Sequence, residues 1–127
     1  MFSRIKNTRL FFLRIALAGW FFAILLLSLL PGRAFPSVDI DNFDKIVHIL
    51  EYFILAVLII VTMYYTDVFE RRKIYLFTLI SGVLYGILLE LVQRFVPGRT
   101  MSLFDALFNV AGVILGIIFG KLVVCRK

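Results

Sequence analysis

Residues 74–95 read Ile-Tyr-Leu-Phe-Thr-Leu-Ile-Ser-Gly-Val-Leu-Tyr-Gly-Ile-Leu-Leu-Glu-Leu-Val-Gln-Arg-Phe, a run with no charged residue before Glu90. At about 1.5 Å of rise per residue, a helix of this length crosses the roughly 30 Å apolar core of a bilayer. Three similar runs accompany it, at residues 10–30, 46–65 and 104–124. The breaks between them hold turn and charge signals: Pro31-Gly32 and Pro36, then Asp67-Glu70-Arg71-Arg72-Lys73, then Pro97-Gly98. The runs are long and continuous, unlike the alternating segments of about ten residues that build an outer-membrane barrel.

Composition agrees, with 62% hydrophobic and 17% charged residues and a mean hydropathy of +1.02. These values predict an all-α polytopic membrane protein, residues 1–127 forming one domain of four transmembrane helices in an antiparallel bundle. At 14.6 kDa no room is left for a separate soluble domain. Of the 14 Lys and Arg residues, ten precede or open the first run, lie between the second and third, or close the chain: Arg4, Lys6, Arg9, Arg14, Arg71, Arg72, Lys73, Lys121, Arg126 and Lys127. Arg33, Lys45, Arg94 and Arg99 fall on the other side. Positive residues in short loops stay on the cytoplasmic side, so both termini are expected in the cytoplasm. The net charge of +6 is thereby assigned to topology and anionic lipid headgroups, and nucleic acid is excluded as a partner. The first run has a basic start, but Pro31-Gly32-Arg33-Ala34 is a poor cleavage site, which predicts an uncleaved anchor. Cys125 is the single cysteine, so no intramolecular disulfide forms.

The polar interruptions carry the functional information. In the expected topology His48 and Glu51 lie in the first turns of the second span, Glu90, Gln93 and Arg94 in the last turns of the third, and Asp105 and Asn109 in the first turns of the fourth. All are expected in the outer leaflet. Helical spacing aligns them in stripes: Asp44, His48 and Tyr52; Gly82, Gly86, Glu90 and Gln93 or Arg94; Asp105, Asn109, Gly112, Gly116 and Gly120. The two glycine rows are expected to bring spans three and four close together, because small residues let helix backbones approach.

The stretch Asp44-Lys45-Ile-Val-His48-Ile-Leu-Glu51-Tyr52-Phe-Ile-Leu55 resembles the VanZ-like family, as do Glu90-Leu-Val-Gln93 and Pro97-Gly98-Arg99-Thr-Met-Ser102-Leu-Phe-Asp105, with Asn109 and Gly112. The likeness covers residues 44–116. It implies a small multi-pass protein of the bacterial cytoplasmic membrane in a cell-envelope context. The founding member of that family is associated with resistance to teicoplanin, so the resemblance also implies an influence on glycopeptide susceptibility. It brings no defined biochemical activity.

Charged side chains inside a span cost about 2.5 to 3.5 kcal/mol each, so they face a cavity, a partner or water. We therefore expect an outward-facing pocket for the polar head of a membrane lipid or lipid-linked envelope intermediate, lined by Asp44, Lys45, His48, Tyr52, Glu90, Gln93, Arg99, Ser102, Asp105 and Asn109. Arg99 and Lys45 suit phosphate or carboxylate. His48 suits proton transfer. An alternative is a membrane enzyme performing acyl or phosphoryl transfer or hydrolysis, with His48, Glu90 and Asp105 as catalytic candidates. The chain has no Gly-rich phosphate cradle and no nucleophile elbow, so binding is favoured over catalysis. The ligand spacing gives no metal signature, and neither a metal nor another cofactor is expected. Two further alternatives are a purely structural network, with Arg99 pairing to Glu90 or Asp105 and His48 to Asn109, and a small transporter. The apolar inner halves of spans two and three disfavour transport.

Overall fold

The computed structural model describes residues 2–34, 43–99 and 102–125. Pro36, Arg126 and Lys127, used above to mark a break and the basic end, lie outside them. Four helices follow one another: α1 (Phe2–Leu29), α2 (Phe43–Thr66), α3 (Arg71–Gln93) and α4 (Leu103–Cys125), with a short 3-10 turn at Gly32–Ala34. All four contain segments long and apolar enough to cross a membrane, and the described residues contain no strand. The helix α1 starts eight residues before the predicted residue 10. Hydropathy marks where a helix meets lipid, and nothing in the basic stretch around Lys6 and Arg9 stops the helix beyond that point.

The turns follow from their residues. Asp67 ends α2 in the left-handed region (φ 59°), which a short polar side chain tolerates, and its N–H donates to the Tyr64 carbonyl at 3.3 Å. Past α3, the Arg99 N–H donates to the Val96 carbonyl at 3.1 Å. With Pro97 at the second position and Gly98 (φ 75°) at the third, residues 96–99 make a type II turn.

Successive helices run antiparallel, which makes α2 and α4 parallel. These two share the most extensive contact, while among the described residues α1 touches α2 and α3 but not α4. In outline, α1, α2 and α3 form one triangle and α2, α3 and α4 another, with α2 and α3 as the common edge. The glycines explain this layout. A Cβ on Gly82 would meet Val113 methyls at 2.8 Å, so that row does face α4. The row on α4 faces α2 instead: a Cβ on Gly112 would lie 2.5 Å from the Ile49 carbonyl oxygen, and one on Gly116 2.6 Å from both the Phe53 carbonyl oxygen and the Ala56 Cβ. Gly120 lies against Ile60. The expected closeness of spans three and four thus holds from the α3 side, and α4 spends its own small residues on its parallel neighbour.

The core contains Ile24, Tyr52, Leu55, Ala56, Tyr85, Leu89 and Val113. The outside of the bundle is just as apolar, with Phe12, Leu84, Leu88, Ile118 and Leu122 exposed. Such an exterior is satisfied by lipid chains, and the backbone groups beneath it are paired within each helix.

The start of α1 and the end of α4 lie at one end of the bundle. Lys6 Nζ donates to Asp67 Oδ2 at 2.7 Å, and Arg71 Nη1 reaches the Cys125 sulfur at 3.8 Å. The Lys6 hydrogen bond and charge hold the Asp67 carboxyl below its ordinary value. A depressed carboxylate stabilises the fold above its unfolded value and loses that contribution as the pH falls through the folded one, although full exposure keeps this pair weak.

Candidate functional site

The opposite end gathers the ends of α1 and α3 and the starts of α2 and α4. Glu90, Gln93, Asn109 and Tyr52 are at most 3% exposed there. His48 and Asp105 are partly covered, with side chains 12% and 17% exposed and His48 Nε2 at 4.0 Å from Asp105 Oδ2. One potential ligand atom from each of His48, Glu90 and Asp105 lies within 4.8 Å of the others.

Local rules place these groups. Ser102 caps α4, its hydroxyl accepting the Asp105 N–H at 3.3 Å. In an ordinary capping box the carboxylate three residues on would take the Ser102 N–H in return. Here Glu90 Oε2, from α3, takes that N–H at 3.3 Å, and the Asp105 carboxylate turns to His48. The Asn109 side chain hydrogen-bonds Glu90. Gly86 makes room for this arrangement, since a Cβ on it would meet both Asn109 and Tyr52 at 3.3 Å.

Arg99 ties the turn after α3 to the end of α1. Its Nη2 donates to the Leu27 carbonyl at 3.0 Å and its Nε to the Leu30 carbonyl at 3.3 Å. A fixed cation thus caps the carbonyl end of α1, where the helix dipole favours positive charge. The Glu51 carboxylate is within electrostatic reach of both Arg99 and His48. Lys45 extends along the start of α4, its ammonium 5.8 Å from the Phe108 ring centre. Asp44 and Arg94 are exposed.

The expected structural pairing of Arg99 with Glu90 or Asp105, and of His48 with Asn109, is replaced by His48 facing Asp105 and Asn109 bonding Glu90. Sequence reading also overlooked what attaches α1. Trp20 Nε1 donates to the Glu51 carbonyl at 2.9 Å, and Tyr85 donates its hydroxyl proton to the Phe21 carbonyl at 2.7 Å with its ring stacked on Phe21 at 4.0 Å. A lone Trp within an apolar run, needing a partner for its N–H, was the available signal.

Among the described residues, three buried polar atoms at this end have no hydrogen-bond partner: His48 Nδ1, Tyr52 OH and Asn109 Oδ1. Buried polar groups are nearly always satisfied, so each of these calls for an explanation. Ser102, by contrast, has its hydroxyl engaged in the helix cap.

The family described as VanZ/LLP1 matches residues 3–124. An uncharacterized protein of Schizosaccharomyces pombe, C11E3.10, is 32% identical over 102 residues, an alignment covering 80% of this chain and 60% of that protein. The chain thus spans about 60% of the length of this curated relative. No solved structure matches the chain. With the family matched over nearly its whole length, and four membrane-spanning helices carrying the residues that first suggested it, this chain belongs to the VanZ-like (VanZ/LLP1) family.

Proposed function

We propose that the polar end of the bundle binds the phosphate-bearing head of a membrane lipid or lipid-linked envelope intermediate. The observation that carries this reading is the set of atoms on His48, Tyr52 and Asn109 that have no partner among the described residues, drawn from two helices and focused on one cluster. A network serving stability alone would satisfy its members, because an unpaired buried group costs about 1–3 kcal/mol. A ligand recovers that cost on binding. Lys45 and Arg99 supply positive charge at the rim, and exposed Phe95, Leu103, Phe104 and Leu107 offer an apolar surface for acyl chains beside it.

Orientation belongs to the same proposal. The end with the start of α1 and the α2–α3 connection carries Lys6, Arg9, Arg71, Arg72 and Lys73, which supports a cytoplasmic position for it and an outer-leaflet position for the site. A ligand on an envelope intermediate would then link the site to glycopeptide susceptibility. The fungal relative favours a headgroup chemistry of broad occurrence, and phosphate is the chemistry shared by the ligands considered.

The test is thermal unfolding of the detergent-solubilised protein titrated with phosphatidate, phosphatidylglycerol or diacylglycerol of the same chains. The phosphate-bearing lipids are expected to stabilise it saturably, by about 2.7 kcal/mol at a hundredfold excess over Kd. Diacylglycerol is expected to do nothing specific. Equal stabilisation by all three would sink the proposal, because it would reduce the effect to acyl chains on an apolar surface.

A further inference from the structure

We propose that His48, Glu90 and Asp105 form a binding site for a single divalent transition-metal ion. The three residues come from α2, α3 and α4, and one donor atom from each lies within 4.8 Å of the others. Nothing about their positions along the chain suggests a ligand set. The fold assembles it.

Donor chemistry narrows the ion. One imidazole nitrogen and two carboxylates suit zinc, manganese or iron(II), whereas magnesium and calcium prefer all-oxygen shells. Charge narrows the state of the site. Two carboxylates in a membrane-embedded position repel each other and resist desolvation, and a doubly charged ion beside a neutral imidazole cancels them. Size is compatible too. Metal–ligand bonds of about 2.0–2.1 Å place tetrahedral ligands about 3.3–3.4 Å apart. His48 Nε2 and Asp105 Oδ2 stand 4.0 Å apart, so side-chain rotation that draws each donor inward by about an ångström or less closes the shell.

An independent observation points to the same occupant. Asn109 is 2% exposed, bonds Glu90 through its side chain and leaves its Oδ1 without a partner among the described residues. Three protein ligands leave an open coordination position, which water fills. A metal-bound water is a strong donor, and Asn109 Oδ1 is a buried acceptor lacking one. The ion site stands on this geometry and does not depend on the lipid reading. Where that reading also holds, the ion adds the positive charge that a phosphate needs next to Glu90 and Asp105.

The experiment uses tag-free protein in detergent, stripped of metal and titrated with zinc chloride alone or manganese chloride alone. His48 is the single histidine of the chain, so its imidazole signals in an NMR spectrum report on the site without any activity assay. One equivalent of zinc is expected to shift them, and manganese to broaden them. Asp105→Asn and Glu90→Gln should each weaken the response at least tenfold while keeping the reporter histidine, and Asp67→Asn, at the far end, should leave it unchanged. An unmoved His48 signal at stoichiometric metal would overturn the site. So would an undiminished response in a folded Asp105→Asn or Glu90→Gln protein, which would mark an adventitious ion only. A metal response without lipid stabilisation sinks the lipid reading alone, and the reverse result sinks the ion site alone.

Discussion

Gly112→Ala is expected to lower the stability of the bundle by about 1–3 kcal/mol, the cost of forcing extra volume into a packed interface. The added Cβ would lie 2.5 Å from the Ile49 carbonyl oxygen and 3.1 Å from the Ile49 carbonyl carbon and Cα. These are backbone atoms, so no rotamer change relieves the contact and α2 must move away from α4. Helix propensity works in the opposite direction, since alanine is favoured over glycine by about 1 kcal/mol in a helix interior. The clash wins because it separates the most extensively packed pair of helices at the level of His48's neighbour. Gly116→Ala should behave alike, meeting the Phe53 carbonyl oxygen and the Ala56 Cβ at 2.6 Å. Gly82→Ala should cost less, because Val113 side-chain atoms can turn. Gly19→Ala, with nothing within 4 Å of the new Cβ, should be neutral or mildly stabilising. Thermal unfolding of the four variants in one detergent gives the ranking, and a Gly112→Ala protein as stable as Gly19→Ala would show that α2 and α4 are not in backbone contact.

The double change His48→Leu with Asp105→Asn is expected to leave the melting temperature of ligand-free protein unchanged or raised, while abolishing its stabilisation by phosphate-bearing lipids. At 4.0 Å the pair is too loose for a strong hydrogen bond. Its removal takes away an unpartnered imidazole nitrogen and one of two neighbouring carboxylates. Replacing buried ionic groups with less polar ones is often neutral or stabilising, and binding sites hold such groups at the expense of stability. Unfolding curves with and without phosphatidate check both halves. A large fall in melting temperature with the lipid effect intact would identify His48 and Asp105 as parts of a structural network.

The four spans were legible because each is a long apolar run ended by proline, glycine or clustered charge. The depth of the polar residues was legible too, since rise per residue carries His48, Glu90 and Asp105 to one end. Helical phase says which residues share a face but not which neighbour that face meets. This is why Gly112, Gly116 and Gly120 were expected against α3 and are found against α2. Arg99 could be recognised as a cation near the site, whereas its hold on the Leu27 and Leu30 carbonyls depends on the type II turn at Pro97-Gly98 and on where α1 ends. The Ser102-x-x-Asp105 cap is a readable pattern. That Glu90 takes the Ser102 N–H, and so turns Asp105 toward His48, depends on contact between α3 and α4. The unpartnered atoms on His48, Tyr52 and Asn109 are likewise facts of packing.

Whether the polar end is a ligand site is tested most directly by native mass spectrometry of protein released gently from its membrane, comparing wild type with the His48→Leu/Asp105→Asn variant. A phosphate-bearing lipid retained by the wild type and absent from a folded variant is the predicted result. The same lipid complement on both proteins, or no specifically retained lipid on the wild type, would contradict it.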